Sequence, residues 1–313
     1  MTFDPAAMID RRRLKRRLIF WRILGVVATV VALLAVLGRF DAGSFNNHVA
    51  RLSVNGLIVG DQIREDALLE LTVDDNIKAL VVSIDSPGGT YVGGESLYRA
   101  LRAVAAKKPV VAVMNGTATS AAYMIALGAE RIIARGGTVT GSIGVIMQTA
   151  DVTGLLQKLG IKPETIKSGP LKAQPNPMEP FSPAARAATE AVIKDLYDMF
   201  VDLVAERRGL DRDTVLGMAD GRVYSGRQAK NNGLIDAIGA EAAALKWLVK
   251  ERGIKAGLPI QEFEIDYGDE PWRGVLGTWI SKWITGSAAT VIGKTLFSER
   301  LRLDGVISLW HPE

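Results

Sequence analysis

Val110-Val111-Ala112-Val113-Met114-Asn115-Gly116-Thr117-Ala118-Thr119-Ser120-Ala121-Ala122-Tyr123-Met124-Ile125-Ala126-Leu127 carries the fold in miniature. Its first five residues are an apolar run that reads as a buried strand, and its last seven read as a buried helix. Asn115 to Ser120 make the turn between them. A serine at a strand-to-helix turn is held at the helix N-terminus, with the next backbone N–H aimed at whatever its hydroxyl attacks. An acyl-transfer nucleophile requires that arrangement, because the developing oxyanion meets a preorganised amide.

Working outward, Ala79-Leu80-Val81-Val82-Ser83-Ile84-Asp85 is a second buried strand, followed by Ser86-Pro87-Gly88-Gly89 and a helix through about Ala106. Arg51 to Val59 read as a strand with helical pattern after it through Leu71, and Arg131-Ile132-Ile133-Ala134 as a short strand. Strands alternating with helices at this spacing predict an α/β fold of βαβ units, its parallel sheet flanked by helices. Residues 168–180 hold too much Pro and Gly for regular structure. A long helix is expected from Pro183 to Arg208, and the core is expected to end near Leu248.

The chain has 313 residues, 48% hydrophobic and 23% charged, with a formal net charge of +4. Arg11-Arg12-Arg13-Leu14-Lys15-Arg16-Arg17 supplies that charge, so the remainder is close to neutral and the composition gives no reason to expect a nucleic-acid partner. No cysteine is present, which excludes disulfides, thiol nucleophiles and thiolate metal sites. No metal or other cofactor is expected. Residues 18–38 form an apolar stretch about 31 Å long as a helix. A cleaved signal peptide is the competing reading, but no small-x-small cleavage site follows Leu37. The organisation expected is a basic cytoplasmic segment (1–17), a transmembrane signal anchor (18–38), a stalk (39–50), a catalytic domain (51–250) on the outer side, and an apolar, Trp-bearing tail (251–313). That tail, with Trp272, Trp279 and Trp283, suits a membrane interface or a neighbouring subunit equally.

The partner groups of Ser120 follow from elimination and position. The two histidines, His48 and His311, lie near the ends of the chain, so a Ser-His-Asp triad would have to borrow one of them, and a lysine is the expected base. Lys172 stands in the Pro-rich loop between Leu171 and Ala173, where burial would favour a neutral amine able to accept the Ser120 proton. Ser142, in Thr140-Gly141-Ser142-Ile143-Gly144-Val145, is a third polar candidate that reads equally as a turn serine. The Gly88-Gly89 pair is by itself a turn signal; one βα unit before Ser120 it becomes a candidate second oxyanion donor.

Ser-Pro-Gly-Gly at 86–89, Asn-Gly-x-x-x-Ser at 115–120, Thr-Gly-Ser-Ile-Gly-Val at 140–145, Ile-Lys-Ser-Gly at 166–169 and Ala219-Asp220-Gly221-Arg222-Val223-Tyr224-Ser225-Gly226-Arg227-Gln228-Ala229 occur in an order that resembles the bacterial signal peptide peptidase A family in its short form. The resemblance covers about residues 50–248. It implies a Clp/crotonase-like fold of repeated ββα units and a serine protease with a Ser-Lys dyad, anchored in the bacterial cytoplasmic membrane. By position it makes Ser120 the nucleophile, Lys172, 52 residues later, the general base, and Ser142 the residue that orients the lysine. It also implies an oxyanion hole from Gly89 and Ala121, with Gly88 as the fallback. A substrate groove is implied along Thr90, Gly141, Ile143, Gly144 and Val145. The implied substrates are apolar peptides, signal-peptide remnants above all, and the implied assembly is a homo-oligomeric ring at the lipid surface. The family's usual Gly-Gly after the nucleophile is Ala121-Ala122 here, whose methyl groups are expected to narrow the pocket. A crotonase-type acyl-CoA enzyme and a non-catalytic membrane scaffold are the rival readings.

Overall fold

The computed structural model describes residues 18–30, 47–265 and 267, and the backbone of 307–309. The basic cluster, residues 31–46, the tryptophans of the tail and His311 lie outside the described residues. The chain divides into two units, 1–46 and 47–313. In the first, residues 18–30 form a helix, α1, with exposed apolar side chains and the Phe20 and Trp21 rings edge-on at 6.0 Å. Among the described residues no helix is long and apolar enough to cross a membrane. The span expected over 18–38 runs beyond the described part of α1.

The second unit is a mixed α/β fold on one sheet. Its centre is three parallel strands, β1 (His48–Ile58), β2 (Ile77–Thr90) and β3 (Val110–Thr119), in the spatial order β3-β2-β1. The helices α2 (Gln62–Leu71) and α3 (Tyr91–Ala105) make the crossovers, and α4 (Ala121–Ala126) follows β3 directly. Because side chains alternate across a strand, each strand feeds two cores. Leu80, Val82 and Ile84 of β2 with Val110, Ala112 and Met114 of β3 enter the main core beneath α3, α4 and α6 (Pro183–Arg208). Ala79, Val81, Val111 and Val113 face the other way, onto Ala244 and Leu248 of α9 (Glu241–Arg252). Continuous apolar runs are what strands covered on both faces require.

Shorter strands complete the sheet. β4 (Arg131–Ala134) and β5 (Val139–Gly141) pair parallel with successive parts of β3, and β6 (Val223–Ser225) closes antiparallel on β5. β7 (Ala237–Ile238) extends β4, and β8 (Ile260–Glu262) pairs with β1 beyond residue 250, where the sequence places the end of the domain. The first strand also begins earlier than expected, at His48 rather than Arg51.

One ion pair fastens α6 to this frame. Arg208 donates to Asp236 at 2.8 Å and to the Gly233 carbonyl at 2.8 Å, while Asp236 also accepts from the Ile132 N–H at 2.7 Å. Burial alone would raise the Asp236 carboxyl, but the Arg208 and Ile132 hydrogen bonds outweigh it and hold it below the usual range. A carboxyl lowered in this way adds stability above its unfolded pKa, and that stability is lost as pH falls through the lowered folded value. Arg208 is 11% and Asp236 27% exposed at the side chain, so Asp236→Ala should cost about 2–3 kcal/mol, somewhat less than breaking a fully buried pair. Denaturant titrations across pH should show the difference from wild type shrinking in acid.

Candidate active site

The turn after β3 is strained. Ser120 has φ 58° and ψ −122°, a conformation rarely taken by an L-residue, and it is 1% exposed. Its N–H donates to the Gly141 carbonyl at 2.8 Å and its carbonyl accepts from Met124 N–H at 3.0 Å. The strand end and the helix start are thus both tied, and the packing around α4 holds the strain in place. Tyr123 contributes by donating from its buried hydroxyl to the Leu234 carbonyl at 2.8 Å, and burial pushes that phenol's pKa up. Arg207 closes the far end of α4, donating to the carbonyls of Leu127 and Ala129.

Sheet register gathers the other groups. Thr119 is paired with Gly141, so Ser120 and Ser142 follow at the ends of adjacent parallel strands. Ser142 is 7% exposed at φ 52°, its N–H donating to the Arg222 carbonyl at 2.8 Å. Gly141, at φ +87°, has no alternative: a Cβ there would lie 2.7 Å from the Tyr224 ring. On the other side of β3, Ala118 pairs with Ser86, and the Thr119 hydroxyl donates to the Pro87 carbonyl at 2.9 Å. That bond ties the Gly88–Gly89 segment to the Ser120 turn.

The two glycines differ. Gly88 N–H is already given to Ser86 Oγ at 3.1 Å, and Ser86 Oγ donates in turn to the Gly56 carbonyl at 2.6 Å. Gly89 is pressed on β1 so closely that a Cβ would fall 1.8 Å from the Ile58 carbonyl oxygen. Of the two, Gly88 is the one whose N–H is held by a side chain within the turn. Thr90 turns the chain into α3, its hydroxyl accepting from Gly93 N–H at 3.1 Å.

Three expectations change. The Ala121 methyl lies against Gly94 of α3, inside the core, so it fills space that Gly94 leaves and does not narrow a pocket. Ile143 is fully buried in the main core, leaving only its backbone to meet a peptide, while Gly144 and Val145 are half-buried. Lys172 is exposed, so a single chain does not supply the burial expected around it.

The Lys172 loop has an anchor that the sequence reading missed. Glu179 accepts from Lys167 Nζ and from Gln174 Nε2, both at 2.5 Å, and the Lys167 hydrogen bond holds its carboxyl below the usual range. Asn176 donates to the Ala173 carbonyl at 2.9 Å, with Ala173 at φ 59° beside Lys172. The acid among the prolines was the available signal.

A peptidase family S49 model matches residues 102–255 and a Clp protease model matches 58–145. A Synechocystis sp. relative named as a protease is 36% identical over 229 residues, covering 73% of this chain and 81% of its own length. The chain belongs to peptidase family S49. A Methanocaldococcus jannaschii relative, also named as a protease, is 38% identical over 208 residues. An Enterococcus faecium relative named as a signal peptide peptidase SppA is 34% identical over 226 residues. The chain spans 65% of the first of these and 66% of the second, which in turn cover 66% and 68% of it. The S49 match contains Ser120, Ser142 and Lys172, and the Clp match contains Gly88 and Gly89.

Proposed function

We propose that this S49 member is a membrane-anchored endopeptidase of Clp/crotonase-like fold, working through a Ser120–Lys172 dyad on apolar peptides such as cleaved signal peptides. The reading rests on one observation: a buried serine held at positive φ between a β-strand and a helix, beside a glycine turn bonded to the same strand. A peptide lies extended along Gly88–Thr90 and Gly141–Val145. The neutral Lys172 amine takes the Ser120 proton as Oγ attacks the scissile carbonyl, and the oxyanion forms on the N–H groups of Gly89 and Ala121. The resulting lysine ammonium protonates the leaving amine. Water then gives a proton to Lys172 as it attacks the acyl-enzyme, and the ammonium returns that proton to Ser120 Oγ as the acyl group leaves. Ser142 orients the amine. Lys172 is exposed and Ser120 is buried, which suits a homo-oligomeric ring in which one copy's lysine serves its neighbour's serine. The anchor places the domain outside the cytoplasmic membrane.

A fluorophosphonate label with peptide mapping, run beside a quenched apolar peptide, tests this. The adduct is expected on Ser120, and Lys172→Ala should slow both labelling and cleavage by about 10²–10⁴-fold. Wild-type rates in Lys172→Ala would remove lysine from the mechanism. Acyl-CoA binding with no adduct would favour the crotonase reading.

A further inference from the structure

Past Val145, the end of the proposed peptide groove, the chain runs on without helix to Ala150. Met147, Gln148, Thr149 and Ala150 wall a cavity of about 700 Å³, whose lining also takes in Phe181 and Arg186. Two to five residues of chain span at most about 7–18 Å, so the cavity lies within that reach of Val145. The start of α6 fixes its cation. Ser182 caps the helix, its hydroxyl accepting from Ala185 N–H at 3.2 Å. Phe181 stands just before the cap and Arg186 one turn after it, the two positions where an apolar pair commonly staples a helix start. Here an arginine takes the inner place, its guanidinium 4.7 Å from the centre of the Phe181 ring. A guanidinium stacked on a ring keeps its in-plane N–H groups for a carboxylate. Among the described residues Glu190 alone comes within ion-pair reach of Arg186, at 3.9 Å, with both side chains exposed. The lining of the cavity contains no acid.

We propose that this cavity is a carboxylate-recognition site at the far end of the peptide groove, with Arg186 as its receptor. This rests on the reading of Gly141–Val145 as part of that groove. Met147 and Ala150 stand five and eight positions after Ser142, the residue beside the Ser120 turn. An extended peptide cut at Ser120 therefore reaches Arg186 with a group about five to eight residues from the cut. An apolar groove gives a uniformly apolar peptide no preferred register; one charged contact at a set distance gives it one. The carboxylate can belong to an acidic side chain or to the free C-terminus of a peptide already released from its precursor, and the two present the same pair of oxygens to the guanidinium. Exposure and salt keep the contact modest in strength.

Two sets of quenched apolar peptides test this on the full chain, on Arg186→Met and on Arg186→Glu. One set, with blocked ends, carries Glu or Gln about five to eight residues from the cut, on either side of it. The other is neutral throughout and ends at that distance as a free acid or as an amide. Wild type should take an acid from at least one set with a KM about 3- to 10-fold below that of its neutral counterpart, and high salt should shrink the difference. Methionine keeps an apolar contact for Phe181, so Arg186→Met should abolish the preference with the start of α6 intact. Arg186→Glu should reverse it. A preference confined to the first set assigns the side chain, and one confined to the second assigns the chain terminus. Equal KM values within both sets for wild type, or a preference that survives in Arg186→Met, overturns the proposal. A small fluorophosphonate that needs no groove reads Ser120 separately, so its adduct on wild type leaves the dyad standing when the preference fails. Without that adduct the dyad reading fails, and this proposal falls with it.

Discussion

Ser120→Ala is expected to lower kcat/KM for peptide hydrolysis by about 10⁴-fold or more, the loss seen when a covalent nucleophile is removed. Stability should move little. Alanine keeps the same backbone strain at φ 58° that serine already bears, and the cavity left by one hydroxyl at a 1% exposed position is small. A melting temperature within a few degrees of wild type, together with lost turnover, would separate chemistry from folding. Residual hydrolysis near the wild-type rate would end the assignment of Ser120, whatever the family membership. Ser142→Ala is the useful comparison: a residue that orients the base should change the pH dependence of kcat and leave a measurable rate.

Gly89→Ala should damage folding and catalysis together. The added methyl would sit 1.8 Å from the Ile58 carbonyl oxygen and 2.5 Å from its carbon, and both are backbone atoms of the neighbouring strand. No side chain can rotate away, so β1 and β2 must part at the bulge beside Gly56. A cost of at least about 2 kcal/mol is expected, with a 10²–10³-fold fall in kcat as the proposed oxyanion donor moves. Gly137→Ala is the control, because nothing lies within 4 Å of the methyl it would add. Thermal unfolding and single-turnover acylation on both variants check the contrast. A Gly89→Ala chain as stable and active as wild type would show that the close contact with β1 relaxes at no cost.

The parts of the site legible in the sequence are those with local signals. β3 and α4 announce themselves through an apolar β-branched run, a polar turn and an alanine-rich helix, and all three stand within eighteen consecutive residues. The short strands had no such signal. β5 and β6 have three residues each and are more than eighty positions apart, so neither shows a period and only their pairing makes them strands. The same distance hid the hold that Arg222 has on Ser142 and that Tyr224 has on Gly141. Lys172 was found by its odd neighbourhood, yet its expected burial did not follow, because a Pro-rich loop pinned through Glu179 lies on the surface of the single chain. β8 was missed because its three residues gain strand character only by extending β1.

The bond from Ser142 N–H to the Arg222 carbonyl also sets a clock. Synthesis runs from the N-terminus, at about 5–20 residues per second. Ser120 and its glycine turn are translated first, Lys172 next, and the residue that fixes Ser142 comes 102 positions after the serine. A growing chain therefore carries its serine for about 5–20 seconds before the neighbouring turn can close. During that interval the turn at Ser142 lacks the carbonyl that holds it.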